Sequence, residues 1–533
     1  MQNNTRMERA RNARSRRNKH AGRWVLPALL GLGLAGCAGS TGQPGGDAGY
    51  GTAPVVITPQ RDWSDAIIYF VILDRFADGD SGNNANVQRR NPGGYHGGDL
   101  KGLTSQLDEI ADLGATAIWI TPVPLQVDFA PIVPGMPETN GQFFEHWGFH
   151  GYWAEDFTRM EPHFGTEADL AALVAAAHQR GIKVLLDVVY NHAGYGSQYE
   201  TDPRFSGWIR KKPVDCAADP LTCQVGGLPD FDTGRDDVRK YLLDANIGLA
   251  ERTGLDGFRL DTVKHVEHDF WQLHRDQTRT RVSEDFFLLG EVWGGDARVL
   301  DEWFENDEMD SGFDFSFSGS CQSWVKGRGR TIAYASYLSK RHRVRDGYHL
   351  AHYLSSHDET MALHLLENDI DRFRVCVALQ MTTLGIPVIY YGEEVARGGG
   401  AWPTNRKDMP WGSRNIKPGA GVARDESLRG YYKNLIALRR SHPALSRGDY
   451  EALSTDGDLL VFRRTDPIGG GTVIVAVNRG SEAATATVDL PAGWQDEVVI
   501  SEVNSSAQPA TDANRMEISV PPVQVRIFVA AKR

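Results

Sequence analysis

The chain has 533 residues, with 57 Lys and Arg against 69 Asp and Glu, for a formal charge of -12 at pH 7. At 41% hydrophobic and 10% aromatic it is too apolar to be disordered, and its 57 Gly and 25 Pro follow no fibrous period. An acidic balance without a basic stripe excludes DNA and RNA as partners, whose phosphates need Lys or Arg to neutralise them.

Between Arg6 and Arg23 lie eight basic residues and one acid, Glu8, followed by an apolar stretch from Trp24 to Leu34. That order reads as an export signal over residues 1–36. The stretch, about 11 residues, is too short to cross roughly 30 Å of hydrocarbon as a helix. Leu34-Ala35-Gly36-Cys37 is similar to a bacterial lipobox, which implies cleavage before Cys37 and lipid on its thiol; an ordinary secretory signal is the alternative. Residues 37–60, rich in Ala, Gly and Thr, read as a flexible tether. What remains after residue 36 carries 49 bases against 68 acids, a balance of -19. We expect an exported, monomeric envelope lipoprotein, periplasmic or at the cell surface, that meets the membrane only through its lipid.

Short apolar runs recur at Ala66-Leu73, Ala117-Ile120, Lys183-Val189, Gly257-Leu260, Phe286-Val292, Tyr348-Leu354 and Pro387-Tyr391. Amphipathic stretches at Leu103-Leu113, Ala168-Arg180, Val238-Arg252 and Asp371-Thr383 fall between them. Strands alternating with helices imply a parallel sheet, and this many suit a closed (β/α)8 TIM barrel over residues 61–445. A Gly- and Pro-rich excursion after the third strand, about 192–235, reads as a small inserted subdomain. Within it Cys216 and Cys223 flank a turn-forming segment and are expected to pair, whereas Cys321 and Cys376 read as buried thiols. From residue 446 to 533 the pattern changes to alternating β, from Leu459-Arg464 to Val523-Ala530, and predicts a C-terminal antiparallel β-sandwich.

Asp187, Asp261, Glu291, Asp358 and the pair Glu393/Glu394 stand where strand-like runs stop. In a parallel barrel those ends share one mouth, where reactions take place. Two carboxyls there can break a glycosidic bond with retention, one as nucleophile and the other as acid and then base, if about 5–5.5 Å apart. The period of two along Gly257-Phe258-Arg259-Leu260-Asp261 puts Arg259 on the face of Asp261, where a guanidinium favours the charged carboxylate. In Gly290-Glu291-Val292-Trp293 a partly apolar wall would keep Glu291 protonated, as an acid requires.

These motifs bring a family into view. Asp187-Val188-Val189-Tyr190-Asn191-His192, Leu228-Pro229-Asp230-Phe231, Gly257 to His265, Gly290-Glu291-Val292-Trp293 and Ser356-His357-Asp358 occur in the order of the α-amylase family, glycoside hydrolase family 13, which the chain resembles from about Trp63 onward. The resemblance implies Asp261 as nucleophile, Glu291 as acid/base and Asp358 as the third acid, steadying the oxocarbenium-like transition state. It implies that Arg259 orients the nucleophile, that His192 and His357 bond sugar hydroxyls and that Tyr152 stacks on the ring being cleaved. Lys264 and His265 would contact the leaving-group side, and Arg406 keeps its place in Trp402-Pro403-Thr404-Asn405-Arg406. The implied reaction is retaining hydrolysis of α-1,4-glucosidic bonds in starch, maltooligosaccharides, maltodextrins or related α-glucans; an α-glucan transglycosylase or a cyclomaltodextrinase- or neopullulanase-like enzyme acting on cyclodextrins is the alternative, and a non-catalytic glucan-binding protein is disfavoured because all three acids are present.

Two Ca²⁺ sites are also expected. Asp78, Asp80, Asn83 and Asn84, with Gly97 and Asp99, offer hard oxygen ligands or simply a polar turn; the same spacing resembles the calcium site of cyclodextrin glucanotransferases. A second site, implied by the family alone, would use Asn191, Asp230 and the carbonyl of His265. The chain departs from the family at Ser356, often Asn, and at Trp402, where amylases commonly carry Asp; that indole either stacks on a sugar or fills a loop core.

Overall fold

The computed structural model describes residues 63–130, 144–210, 219–490, 498–502, 511–512 and 514–532. The export signal and tether, at 1–60, lie outside the described residues; among these, no helix is long and apolar enough to cross a membrane. Eight parallel strands close into a barrel: β1 Ile68–Val71, β2 Ala117–Ile120, β3 Lys183–Val188, β4 Gly257–Leu260, β5 Phe287–Gly290, β6 Ser311–Phe313, β7 His349–Tyr353 and β8 Ile386–Tyr390. Each pairs with its sequence neighbours, and β8 returns to β1 from Ile68↔Val388 to Phe70↔Tyr390.

The strands are continuous apolar runs because both faces are covered. Ile-Tyr-Phe-Val of β1, Ala-Ile-Trp-Ile of β2 and Phe-Leu-Leu-Gly of β5 are buried at every position. Seven strands coincide with the seven apolar runs of the sequence. The eighth, β6, is only Ser-Gly-Phe; no local preference marks it, and it exists through pairing of Ser311 with Leu289 and of Phe313 with Ala351. A Cβ on its Gly312 would stand 2.4 Å from Leu300, so close packing rather than β propensity fixes that residue.

Helix boundaries follow capping chemistry. Glu167–His178 begins at a capping box in which Thr166 and Asp169 exchange side-chain and backbone hydrogen bonds, and Asp236–Thr253 stops at Gly254 with φ 74°. The single helix expected over Leu103-Leu113 is two, Leu100–Ser105 and Leu107–Leu113, broken at Gln106. After β3 the insert is pinned by backbone bridges His192↔Asp230 and Ile209↔Phe231. Cys223 is disulfide-bonded; Cys216, its expected partner, lies outside the described residues. Cys321 and Cys376 are free and buried, as expected.

The C-terminal region is two antiparallel sheets. Asp449–Ser454, Leu459–Thr465, Thr472–Asn478, Gln524–Lys532 and Val498–Glu502 form one in that order; Ala484–Asp489, Arg515–Val520 and Thr511–Asp512 form the other. Alternation divides the larger sheet's side chains. Leu459, Val461 and Ile474 join Val488, Met516 and Ile518 between the sheets, while Leu460, Phe462 and Val473 join the barrel core.

Arg464 ties sandwich to barrel. Its buried guanidinium donates to the carbonyls of Thr382 at 2.9 Å, Leu445 at 3.0 Å and Gly448 at 2.7 Å. Burial, with Arg439 and Arg341 nearby, drives its pKa well below the usual arginine value. Arg464→Met is expected to strand those carbonyls and lower unfolding free energy by about 3–5 kcal/mol, measured by urea titration. A loss below about 1 kcal/mol would show the tie to be dispensable.

Candidate active site

The residues that follow β4 and β5 set the centre. Asp261 is the first residue after β4 and Glu291 the first after β5; both side chains are about nine-tenths buried at the barrel mouth. Between them lies Arg259 of β4, its guanidinium 5.1 Å from the ring centre of Trp119 on β2. Nη1 donates to Asp261 Oδ1 at 2.7 Å and to both Asp187 oxygens at 3.0 and 3.1 Å, while Nη2 stands 3.2 Å from Glu291 Oε1. One fork thus holds three carboxyls from three strands, and the two flanking acids sit side by side on its two terminal nitrogens.

Asp187, inside β3, also accepts from Trp119 Nε1 at 3.1 Å and from the Tyr152 hydroxyl at 2.7 Å. Burial raises its pKa to about 7; Arg259 opposes that shift and Asp261 adds to it. It is a brace deep in the site. Glu291 is raised too, by burial first, against the pull of Arg259 and with the charges of Asp261 and Asp358 pushing the same way as burial. Its Oε2 accepts from the backbone N–H of Thr262 at 2.9 Å, and Thr262 takes φ 49° to deliver that bond. Trp293 does not enclose Glu291: it is 49% exposed, packed on Phe315 at 5.0 Å, and lines the open side of the same hollow.

Asp358 lies five residues beyond β7 and reaches solvent. Arg406 Nη2 meets its Oδ1 at 3.1 Å and His357 Nε2 its Oδ2 at 3.1 Å. Burial would raise Asp358, but His357, acting through its Nε2–H, and the Arg406 and Arg259 guanidinium charges outweigh it and hold the carboxyl below its ordinary value. Ser356 Oγ accepts from the backbone N–H of Asp358 at 3.2 Å. His357 is neutral, its pKa lowered by burial to about 3. The Tyr152 hydroxyl stands 2.9 Å from His357 Nε2, with the rings stacked at 5.4 Å. His357 Nδ1 and His192 Nε2 are buried without partners, and a sugar hydroxyl would satisfy them.

Not every expected residue joins this cluster. Lys264 Nζ reaches the Trp293 carbonyl at 3.4 Å on the Glu291 side, but the His265 ring turns toward the insert, with Nδ1 2.7 Å from the Pro220 carbonyl. Glu393 and Glu394 are not site residues: Glu393 accepts from the Tyr390 N–H at 3.2 Å and Glu394 from the Tyr69 hydroxyl at 2.8 Å, within the core. Trp119, His146, Phe315 and Tyr353 line the cleft and escaped the sequence reading: Trp119 and Tyr353 because an aromatic in an apolar run looks the same whether it faces core or cavity, His146 and Phe315 because they stand in loops between runs.

Among the described residues no three His, Cys, Asp or Glu side chains cluster as a metal site. The two oxygen-rich sets rest instead on amides and carbonyls. Asn83 Oδ1 and Asn84 Oδ1 are buried with no hydrogen-bond partner, beside Asp78 and Asp99. A Cβ at Gly97, where φ is 93°, would come within 2.3 Å of Asn84 Oδ1. This pocket fits a hard cation. All three carboxylates are also engaged within the protein: Asp80 caps its own turn and pairs with Lys101 at 2.6 Å, Asp78 meets Arg89 at 2.8 Å, and Asp99 caps Leu100–Ser105 through the Gly102 N–H at 2.7 Å; of the three, Asp78 and Asp99 accept from the Asn84 and Asn83 amides and Asp80 does not. At the base of the insert, the Asn191 side-chain oxygen faces Asp230 Oδ1 at 3.1 Å and the His265 carbonyl at 3.0 Å. Three facing oxygens require a cation among them or a turned amide that donates to both acceptors.

A parallel barrel that gathers four acids and a buried guanidinium at its C-terminal mouth suits glycoside hydrolysis. The comparisons agree: the alpha-amylase catalytic-domain model matches residues 70–213 and 220–448. An Anoxybacillus alpha-amylase structure superposes with TM-score 0.78 at 30% identity, covering 89% of this chain and 99% of its own. The alpha-amylase of Geobacillus thermoleovorans, complexed with acarbose, gives 0.76 at 31%, covering 89% and 100%. A cyclomaltodextrinase of Geobacillus thermopakistaniensis (strain MAS1) is 28% identical over 86% of this chain and 76% of its own. The chain belongs to the alpha-amylase family, glycoside hydrolase family 13.

Proposed function

We propose that this enzyme hydrolyses α-1,4-glucosidic bonds of starch, maltodextrins and cyclodextrins with retention. The supporting observation is the Arg259 fork, with Asp261 on one nitrogen and Glu291 on the other. Carboxyls set side by side suit direct attack, which needs about 5–5.5 Å, better than attack through an intervening water. The Asp261 carboxylate attacks C1 while the Glu291 proton passes to the leaving oxygen, giving a glycosyl ester and a free sugar hydroxyl. Water then attacks C1, Glu291 takes its proton, and the ester bond to Asp261 breaks. Asp358, held by Arg406 and His357, grips the hydroxyls of the ring as it flattens. Cyclodextrins enter the proposal because relatives such as that of Geobacillus thermopakistaniensis carry the name cyclomaltodextrinase. Chromatography of products from maltoheptaose, cyclodextrin, pullulan and starch tests the assignment; no cleavage of any of the four would end it.

Calcium belongs to the same proposal, held by Asp78, Asn83, Asn84 and Asp99 and, below the insert, by Asn191, Asp230 and the His265 carbonyl. Bound there, it would brace the loops that shape the cleft. Exhaustive EDTA treatment is expected to lower Tm by roughly 5 °C, with recovery on adding Ca²⁺; an unchanged melt would assign the turned amide to Asn191. We also propose export and lipid attachment at Cys37, on the residue order of the leader. Cys37→Ser should then release the protein from the membrane fraction, and unchanged sedimentation would count against the anchor.

A further inference from the structure

The segment that follows β8 returns to the barrel mouth as a loop. It closes the far end of the cleft, a cavity of about 180 Å³ that Trp402 and Arg406 border with His146 and Asp358 and that Glu291 does not line. The His146 ring stacks on Trp402 at 5.9 Å, and the Arg406 guanidinium lies over the same indole at 4.6 Å. Asn405 grips the backbone around the acid from both sides: its Nδ2 donates to the carbonyls of His357 at 2.8 Å and Glu359 at 3.1 Å, the two residues that flank Asp358. Arg406 adds Nε to the His357 carbonyl at 2.8 Å and Nη2 to Asp358 Oδ1 at 3.1 Å. Where residues 405 and 406 come to rest therefore sets the place of Asp358.

Two buried guanidinium groups fix that resting place. Carbonyls of three successive residues turn to them: Arg406 O accepts from Arg75 Nε at 3.1 Å, while Asn405 O and Lys407 O accept from one nitrogen, Nη1 of Arg397, at 3.0 and 3.1 Å. Arg397 also donates Nε to the Tyr391 carbonyl at 2.9 Å, so it joins the start of the loop to its end. Arg75 has Asp74 beside it. Arg397, only 2% exposed, meets carbonyls, the rings of Tyr390 and Tyr391 at 4.7 and 4.2 Å and the Met361 sulfur at 3.7 Å instead of a carboxylate. Glu393 supplies no counter-charge, because burial raises its pKa to about 8 against the pull of Arg397. A buried cation without an ion pair is costly to fold around, and an apolar side chain of similar bulk would avoid that cost. Nor do the carbonyls at the end of the loop need the arginine to be satisfied: the Tyr390 hydroxyl donates to Asn405 O at 3.0 Å and the Tyr391 hydroxyl to Lys407 O at 2.6 Å. What Arg397 adds is direction, one nitrogen set between the two carbonyls that flank Arg406.

We infer that Arg397 is a positioning residue for the reaction: it clamps the peptides on either side of Arg406 and, through Arg406 and Asn405, holds Asp358 against the sugar ring. The inference rests on the α-glucosidic hydrolysis proposed above. Arg397 itself lines neither hollow of the cleft.

A double-mutant cycle on maltoheptaose, measured well below Tm, tests it. Arg397→Met should lower kcat on the order of 30-fold with KM changed less than about threefold, since Asp358 acts on the ring as it flattens. In an Arg406→Ala background, where most of what the clamp holds is gone, the cost of Arg397→Met should shrink to about threefold or less. A cost of the same size in both backgrounds shows the two residues acting independently and overturns the inference. So does a variant that melts lower but keeps the wild-type kcat, the result expected of a merely structural role. Should Arg397→Met fail to fold, Arg397→Lys, which keeps the charge but not the planar fork, carries the same cycle. An inactive wild type would instead overturn the hydrolase reading, and this inference with it.

Discussion

Asp261→Asn is expected to lower kcat by about four orders of magnitude or more while melting within a few degrees of the wild type. The amide is nearly the same size and still meets Arg259 Nη1, now 2.7 Å from Asp261 Oδ1, but it cannot form the ester at C1. The guanidinium keeps Asp187 at 3.0 Å, so its charge is not left alone. Substrate binding should persist, which makes this variant the form in which to trap an oligosaccharide. Calorimetry with maltoheptaose and single-turnover kinetics check both halves. Activity above about 1% of wild type would remove Asp261 from the nucleophile's role.

Glu291→Gln is expected to lose about 10²- to 10⁴-fold on unactivated maltooligosaccharides and far less on glycosyl fluorides, whose leaving group needs no proton. The pH profile supplies a second readout. The working form of Glu291 in the first step is protonated, and burial together with Asp261 and Asp358 holds its pKa above the ordinary glutamate value against the pull of Arg259. The rate on poor leaving groups should therefore fall as pH rises through that elevated pKa. The Gln variant should lose this basic limb. Equal losses on good and poor leaving groups, or an unchanged basic limb, would assign the proton to another residue. Asp261→Asn removes one of the charges that push Glu291 upward, so in that background Glu291 should titrate lower.

The chemistry was legible before the fold because it depends on residue types at strand ends. Asp261 and Glu291 directly follow runs that any apolar-pattern reading marks, and the period of two places Arg259 against Asp261 without coordinates. Glu393 and Glu394 satisfied the same rule and proved to be core acids, since position after a strand does not say whether a side chain turns inward to Tyr69 and Tyr390 or outward to the cleft. His265 shows the same limit, its ring turned to Pro220. The His146 and Trp402 pair was beyond local reading altogether: more than 250 positions separate the two, and only the closing of the barrel stacks their rings.

The sequence by itself determined the barrel, the sandwich and the acids, because apolar periodicity and the order of motifs are one-dimensional properties that survive without knowledge of neighbours. The tertiary structure alone decided which of those acids share a guanidinium, that β6 exists as a strand, and how the far end of the cleft is walled. Those depend on which way side chains turn and on contacts between remote segments. They are settled by packing and by satisfying buried polar groups, not by local preference.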